Sequence, residues 1–267
     1  MLIKDKDSNQ GAIEQLRELL SLNLSSKKKF LIERELKNLN PGHAGGRNAS
    51  HFINFYCSDS RDWAVIHDLK LENNGLSTQI DHLLINQFLD IYLIESKNYA
   101  YSLKIKANGE FLVFDGKRYQ SIASPIEKNQ QRVEVLDKVL IKRKITPKKM
   151  GILCKPLIKS YVLVSADSNI VRPPVSIYDT SSVITVAYLI AKMLNRVERI
   201  RRIYQGLKRL PKLIKTDTLA EFAGRLASLH EPNQINYQRL FCPEVVEKTL
   251  LADSSGKKIA FDCDYTI

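Results

Sequence analysis

Two short apolar runs separated by four residues constrain this chain more than any other feature. Residues 78–86 read TQIDHLLIN and residues 91–99 read IYLIESKNY. Both are rich in Ile, Leu and Tyr, have the length of ordinary strands and are bounded by polar residues. The intervening QFLD is a hairpin-sized connection. Side chains alternate faces along a strand, so Asp81, Leu83 and Ile85 share one face of the first run, and Leu93, Glu95 and Lys97 share one face of the second. A hairpin symmetric about Phe88 sets Asp81 opposite Glu95 and Gln79 opposite Lys97. Facing carboxylates repel. A hard divalent cation relieves that repulsion, with Mg²⁺ the first candidate and Mn²⁺ a substitute. Lys97 lies two residues after Glu95, where it can orient a water or offset charge developing on a phosphate. Taken alone, Glu-x-Lys also describes a solvated strand edge. The aspartate on the same face of the preceding strand is what turns the pattern toward a metal.

The residues Gln79-Ile80-Asp81-His82-Leu83-Leu84-Ile85, followed by Ile94-Glu95-Ser96-Lys97-Asn98-Tyr99, resemble the nuclease-related domain, NERD, of the PD-(D/E)xK phosphodiesterase superfamily. The similar stretch runs from Phe30 to Leu140, with a weaker echo to Leu194. The resemblance implies an α/β fold with a restriction-endonuclease-like core, a central mixed β-sheet flanked by helices. It implies a Mg²⁺-dependent DNA endonuclease whose metal sits on Asp81 and Glu95, with the Ser96 carbonyl nearby and Lys97 beside it. In this family a strand precedes the QID motif, and residues 63–71 (WAVIHDLKL) fit it. An early helix supplies a further acid; Glu33 in FLIERELKNL fits best, and Glu35 is the other candidate. The family also places a glutamine three residues after a helix-opening proline. Here that position is Lys128, with Gln130 and Gln131 beyond it. Lys128 meets a phosphate instead, one of the glutamines takes the role, or Lys128 is simply a solvated surface residue. Because the superfamily includes members that bind DNA without cutting, the alternative is a catalytically inactive DNA-binding or protein-interaction module on the same fold.

Charge points the same way. The 267 residues carry a formal net charge of +12, which favours a polyanionic partner, DNA first among them. Residues 192–215 hold nine Lys and Arg against one acid, Glu198. Ile200, Ile203, Leu207 and Leu210 add an apolar stripe, so the segment reads as a basic amphipathic helix. Candidate nucleic-acid contacts are Gln79, Lys128, Gln131, Arg199 and Arg202. Membrane attachment is disfavoured, because that helix lacks flanking Trp or Phe anchors. The longest apolar run, residues 183–191, is too short to span a bilayer.

The remaining chain supplies a scaffold. Residues 1–10 read as frayed, with helices over 13–24 and over 27–39, the second burying Phe30, Leu31, Leu36 and Leu39. Residues 41–50 read as a loop, and HFINFY as a short extra strand. Asn108-Gly109 joins two strands in a hairpin, and Asp115-Gly116 makes a further turn. Ser124-Pro125-Ile126-Glu127 opens a helix with an N-cap serine and proline at N1. Residues 161–166 (YVLVSA) read as a core strand, and a helix runs from Ser181 or Ser182 through Met193. Thr218 and Glu221 open another. His67 and His82 read as packing residues, since His82 falls on the face opposite Asp81. Cys57, Cys154, Cys242 and Cys263 form no CxxC pair, and no secretory signal opens the chain, so reduced thiols in a cytoplasm are expected. The expected organisation is an N-terminal helical extension (1–26), a NERD nuclease-like domain (27–195) and a basic helical C-terminal region (196–267). A homodimer is compatible with all of this, and no directing protein partner can be read from the residues.

Overall fold

The computed structural model describes residues 1–39, 49–99, 101–149, 152–165, 168–205, 214–232 and 235–241; the side chains of 149, 152 and 198–205 lie outside that description. In chain order the elements begin β1 (Leu2–Lys4), α1 (Gln10–Leu20), α2 (Ser26–Leu39) and α3 (Ala49–Cys57). The long strands β2 (Trp63–Asn73), β3 (Leu76–Asn86) and β4 (Asp90–Lys97) follow. A small meander, β5 (Ser102–Ile105), β6 (Phe111–Phe114) and β7 (Tyr119–Ile122), leads into α4 (Pro125–Arg143). Then come β8 (Lys148–Lys149), β9 (Ile152–Leu153), β10 (Leu157–Val164), β11 (Asn169–Val171) and β12 (Val183–Thr185). The described chain closes with α5 (Val186–Gln205), α6 (Thr216–Ala227) and α7 (Tyr237–Phe241).

The chain divides into two compact units. One comprises Met1–Lys6 and Gly45–Pro232; the other comprises Asp7–Ala44 and Asn233–Ile267. The expected boundary at residue 195 falls inside α5, which runs unbroken through it. In the second unit, Leu16 and Leu19 of α1, Leu24, Ile32 of α2 and Tyr237 of α7 form a small core. Phe30 does not join it: its ring is 62% exposed, and Ile32 is the buried residue of α2.

The first unit is a mixed α/β layer structure. Its main sheet has six strands in the order β1-β2-β3-β4-β10-β12. The β2–β3–β4 meander is antiparallel, while β1 on β2, β4 on β10 and β10 on β12 pair in parallel. Helices cover both faces, as a largely buried sheet requires. On one side Leu136, Val139 and Leu140 of α4 and Leu219, Phe222 and Leu226 of α6 pack on Leu83, Ile85, Ile91 and Leu93. On the other, Ile53 of α3 and Leu189 and Met193 of α5 pack on Val65, Leu84, Tyr92 and Ile94. A second, four-stranded sheet has the order β11-β5-β6-β7. Among the described residues no helix is long and apolar enough to cross a membrane.

Several local expectations change. The first residues are not frayed: β1 lies parallel to β2, where a ladder supplies what three residues cannot supply alone. HFINFY is helical, within α3. Ser50, Ile53 and Cys57 are its buried residues, and their i, i+3, i+7 spacing outweighs the strand preference of the aromatics. The helix expected from Ser181 begins at Val186, because Val183–Thr185 are taken by pairing with β10. The first part of the expected basic helix is the C-terminal half of α5, described to Gln205; residues 206–213 of that segment lie outside the described residues. The helix expected from Thr218 begins at Thr216, with Lys215 at the N-cap and no side-chain cap.

Candidate active site

The β3–β4 hairpin delivers the site. Its register pairs His82 with Ile94, Leu83 with Leu93, Leu84 with Tyr92 and Ile85 with Ile91. That is symmetry about Phe88, so continuing it places Asp81 level with Glu95. The ladder stops at His82, and no Gln79–Lys97 rung forms.

A break in β2 explains why Asp81 is available. The β2–β3 ladder pairs His67 with His82 and Leu69 with Ile80, leaving out Asp68 and Asp81 between them. Asp68 has φ +47°, a left-handed backbone that disrupts strand alternation. The inward face accordingly changes from Ala64 and Ile66 to Leu69 and Leu71. Freed from a regular rung, the Asp81 carboxylate turns to β4 and accepts a 2.8 Å hydrogen bond from the Ser96 N–H.

Glu95 is buried at 3% exposure on the α4 side of the sheet and is faced by two cations. Lys97 Nζ lies 2.5 Å from its Oε1, and Arg132 Nη2 lies 3.2 Å from its Oε2. The Arg132 contact is an ion pair without hydrogen-bond geometry, so the buried Oε2 has no hydrogen-bond partner. Arg132 is held from three sides. Its Nε donates to the Gln79 carbonyl at 2.8 Å, and its Nη1 donates to Asn129 Oδ1 at 3.0 Å. Asn129 is itself buried and donates to the Tyr161 carbonyl at 3.0 Å. One guanidinium thereby ties β3, β4 and α4 together, and the N-cap bond from Glu127 N–H to Ser124 Oγ (3.2 Å) fixes where α4 starts.

The electrostatics follow from this crowding. Burial first, and the neighbouring Glu95 charge second, push the Asp81 carboxyl up to about 6; the Ser96 N–H, Lys97 and Arg132 oppose that rise. Burial, with Glu95 again second, pushes the Tyr99 phenol up to about 12.

Behind the site runs a buried histidine relay. His67 Nε2 is 2.9 Å from Asn54 Oδ1, His67 Nδ1 is 2.8 Å from His82 Nδ1, and His82 Nε2 is 3.0 Å from Ser96 Oγ. The Asn54 oxygen can only accept, so His67 carries its proton on Nε2. His82 must then donate from Nδ1, and Ser96 donates to His82. Burial holds His67 down at about 4 and His82 well below the ordinary range, so both are neutral, as the chain of bonds demands. His82 thus packs and hydrogen-bonds on the face opposite Asp81, as its strand position implied.

The structure gathers Asp81, Glu95 and Lys97. Gln79 joins them through its carbonyl, which accepts from Arg132. Glu33 lies elsewhere in the division, exposed on α2 in the second unit. Glu35, on the same helix, accepts from the Tyr237 hydroxyl. Lys128 and Gln131 are exposed on α4. Arg199 and Arg202 belong to α5, but their side chains lie outside the described residues. Sequence reading missed Arg132 and Asn129. Arg132 stands four residues after Lys128, hence on the same face of α4, and that spacing was the available signal.

Residues 41–165 match the family model of the nuclease-related domain, NERD. The NERD match covers the whole Asp81–Glu95–Lys97–Arg132 cluster and leaves Glu33 outside. No curated protein and no solved structure matches the chain.

The donor set suits a hard divalent cation. Asp81 and Glu95 offer carboxylate oxygens only, and the buried Glu95 Oε2 lacks a hydrogen bond. Mg²⁺ characteristically takes one or two carboxylates and completes its shell with water and phosphate. Among the described residues no group of three or more His, Cys, Asp or Glu is placed to hold a metal.

Proposed function

We propose that the NERD segment hydrolyses DNA phosphodiester bonds at Asp81, Glu95 and Lys97, on a restriction-endonuclease-like core, with Mg²⁺ or Mn²⁺ as its metal. The observation that carries this reading is the meeting of two carboxylates and a lysine at the end of the β3–β4 ladder, inside a segment matching a nuclease-related family.

Asp81 and Glu95 would hold the cation, which would supply Lewis-acid stabilisation of charge developing on the phosphate. The chain's own residues do the rest. The Ser96 N–H fixes one Asp81 oxygen, so the carboxylate keeps its orientation. Arg132 keeps Glu95 on the α4 side of the sheet. Lys97, with its side chain 39% exposed, can leave Glu95 for a phosphate oxygen or orient an attacking water. Lys128 on the same face of α4 is a candidate phosphate contact, and basic α5 a candidate backbone contact.

The test is incubation of the purified protein with supercoiled, linear and single-stranded DNA in Mg²⁺, Mn²⁺ or EDTA. The reading expects cutting with a metal and none in EDTA. Intact DNA in every lane overturns it.

A further inference from the structure

The outer face of the small sheet carries an aromatic row that the hydrolytic site does not use. Register aligns Ser102, Phe114 and Tyr119 across β5, β6 and β7, with Lys104, Leu112 and Ser121 in the next row. The alternate residues Leu103, Ile105 and Phe111 are buried in a core with Val162, Val164 and Val183. The row containing Phe114 and Tyr119 therefore faces away from that core. Tyr101 is 55% exposed and Tyr119 45% exposed. The Phe114 ring sits between them, 6.1 Å from Tyr101 at 77° and 5.2 Å from Tyr119 at 49°.

The row is held in place. The Tyr101 ring lies over Gly116, where a Cβ would come within 3.2 Å of it, and Gly116 has φ +96°. The aromatic surface packs on a turn that only glycine fits, which limits the freedom lost when a partner binds. Basic groups surround it. Lys104 Nζ stands 5.8 Å from the centre of the Tyr119 ring. Across residues 101–122, Lys104, Lys106, Lys117 and Arg118 face only Glu110 and Asp115. Glu110 is engaged by Lys106 at 2.8 Å, and Asp115 accepts from the backbone of Lys117 and Arg118.

We propose that this face is a stacking surface for single-stranded nucleic acid. Exposed rings alone would also suit an apolar protein surface. Cations beside the rings, in a chain of net charge +12, favour a partner that offers flat bases and phosphates together. As a statement about substrate form it rests on the nuclease reading, but the binding itself needs neither metal nor cleavage.

The test is fluorescence anisotropy in EDTA with a labelled oligo-dT and a labelled duplex, using folded proteins checked by circular dichroism. Tyr101→Ala and Tyr119→Ala should each weaken oligo-dT binding roughly 5- to 100-fold and leave duplex binding within about twofold. Tyr119→Phe should keep the affinity, and Lys104→Ala should flatten the salt dependence. Because the assay is read in EDTA, where the nuclease reading expects no cleavage, a failure of that reading stays separate from a failure here. Unchanged oligo-dT affinity in both alanine variants, an equal loss on duplex, or no oligo-dT binding by the parent would overturn the proposal. A dimer of the parent that Tyr119→Ala dissociates would overturn it too, by assigning the face to a second copy.

Discussion

Burial and Glu95 together set the chemistry of Asp81. Burial and the Glu95 charge raise the Asp81 carboxyl from 3.8 to about 6, so in the metal-free protein its ionisation opposes folding. The raised folded value makes this group's contribution favourable below the unfolded value and lost as pH rises through about 6. In EDTA, Asp81→Asn should therefore be more stable than the parent at pH 7–8, by roughly 1–3 kcal/mol, and the gap should close as pH falls from 6 toward 4. Urea unfolding at several pH values reads this, and a parent equal to the variant at pH 8 would contradict it. Arg132 is the complementary case. Arg132→Ala removes a cation from the buried Glu95 and donors from Gln79 and Asn129. It should cost about 2–4 kcal/mol in EDTA, and millimolar Mn²⁺ should restore part of that loss in thermal melts. A loss that metal leaves untouched would show Arg132 to be a structural tie alone.

The hairpin was legible at the scale of the element because its signals are local. Period-two alternation and a four-residue connection define register without the rest of the chain, and the rungs from His82–Ile94 to Ile85–Ile91 are the ones that arithmetic requires. The start of α4 was legible for the same reason: a serine cap, a proline at N1 and an apolar face agree. Ser124→Ala should cost about 1 kcal/mol of stability, measurable by urea melts. What escaped depended on tertiary partners. The three residues of β1 hold as a strand only through β2, and Val183–Thr185 left a helical reading because β10 pairs with them. Arg132 escaped because its partners, Gln79, Asn129 and Glu95, meet it only in the folded chain, although one turn of helix separates it from Lys128. No local signal tells Glu33 from Glu35: both lie on α2, the first exposed and the second engaged by Tyr237.

Across the whole molecule the sheet is anchored at the end of β4 remote from Glu95. Asp90 is buried and receives Arg196 of α5 at 2.6 Å and Lys159 of β10 at 3.8 Å. Asp90→Ala strands two cations and should cost about 2–3 kcal/mol; this is below the figure for a fully buried pair because the Arg196 side chain is 38% exposed. That loss should appear in the midpoint of unfolding while metal-dependent cleavage by the folded fraction persists, since Asp90 lies five residues from Glu95 and on the other face of β4. Positive charge distributed over the chain would bring DNA in, and the β3–β4 hairpin would do the chemistry. The most direct measurement of that division is plasmid cleavage in Mn²⁺ by the parent, Asp81→Asn, Glu95→Gln and Lys97→Ala, at matched folded concentration and matched DNA binding. The account predicts rates lower by on the order of 10²-fold or more in all three variants, with DNA affinity kept. Cleavage at the parental rate in any of the three would contradict it.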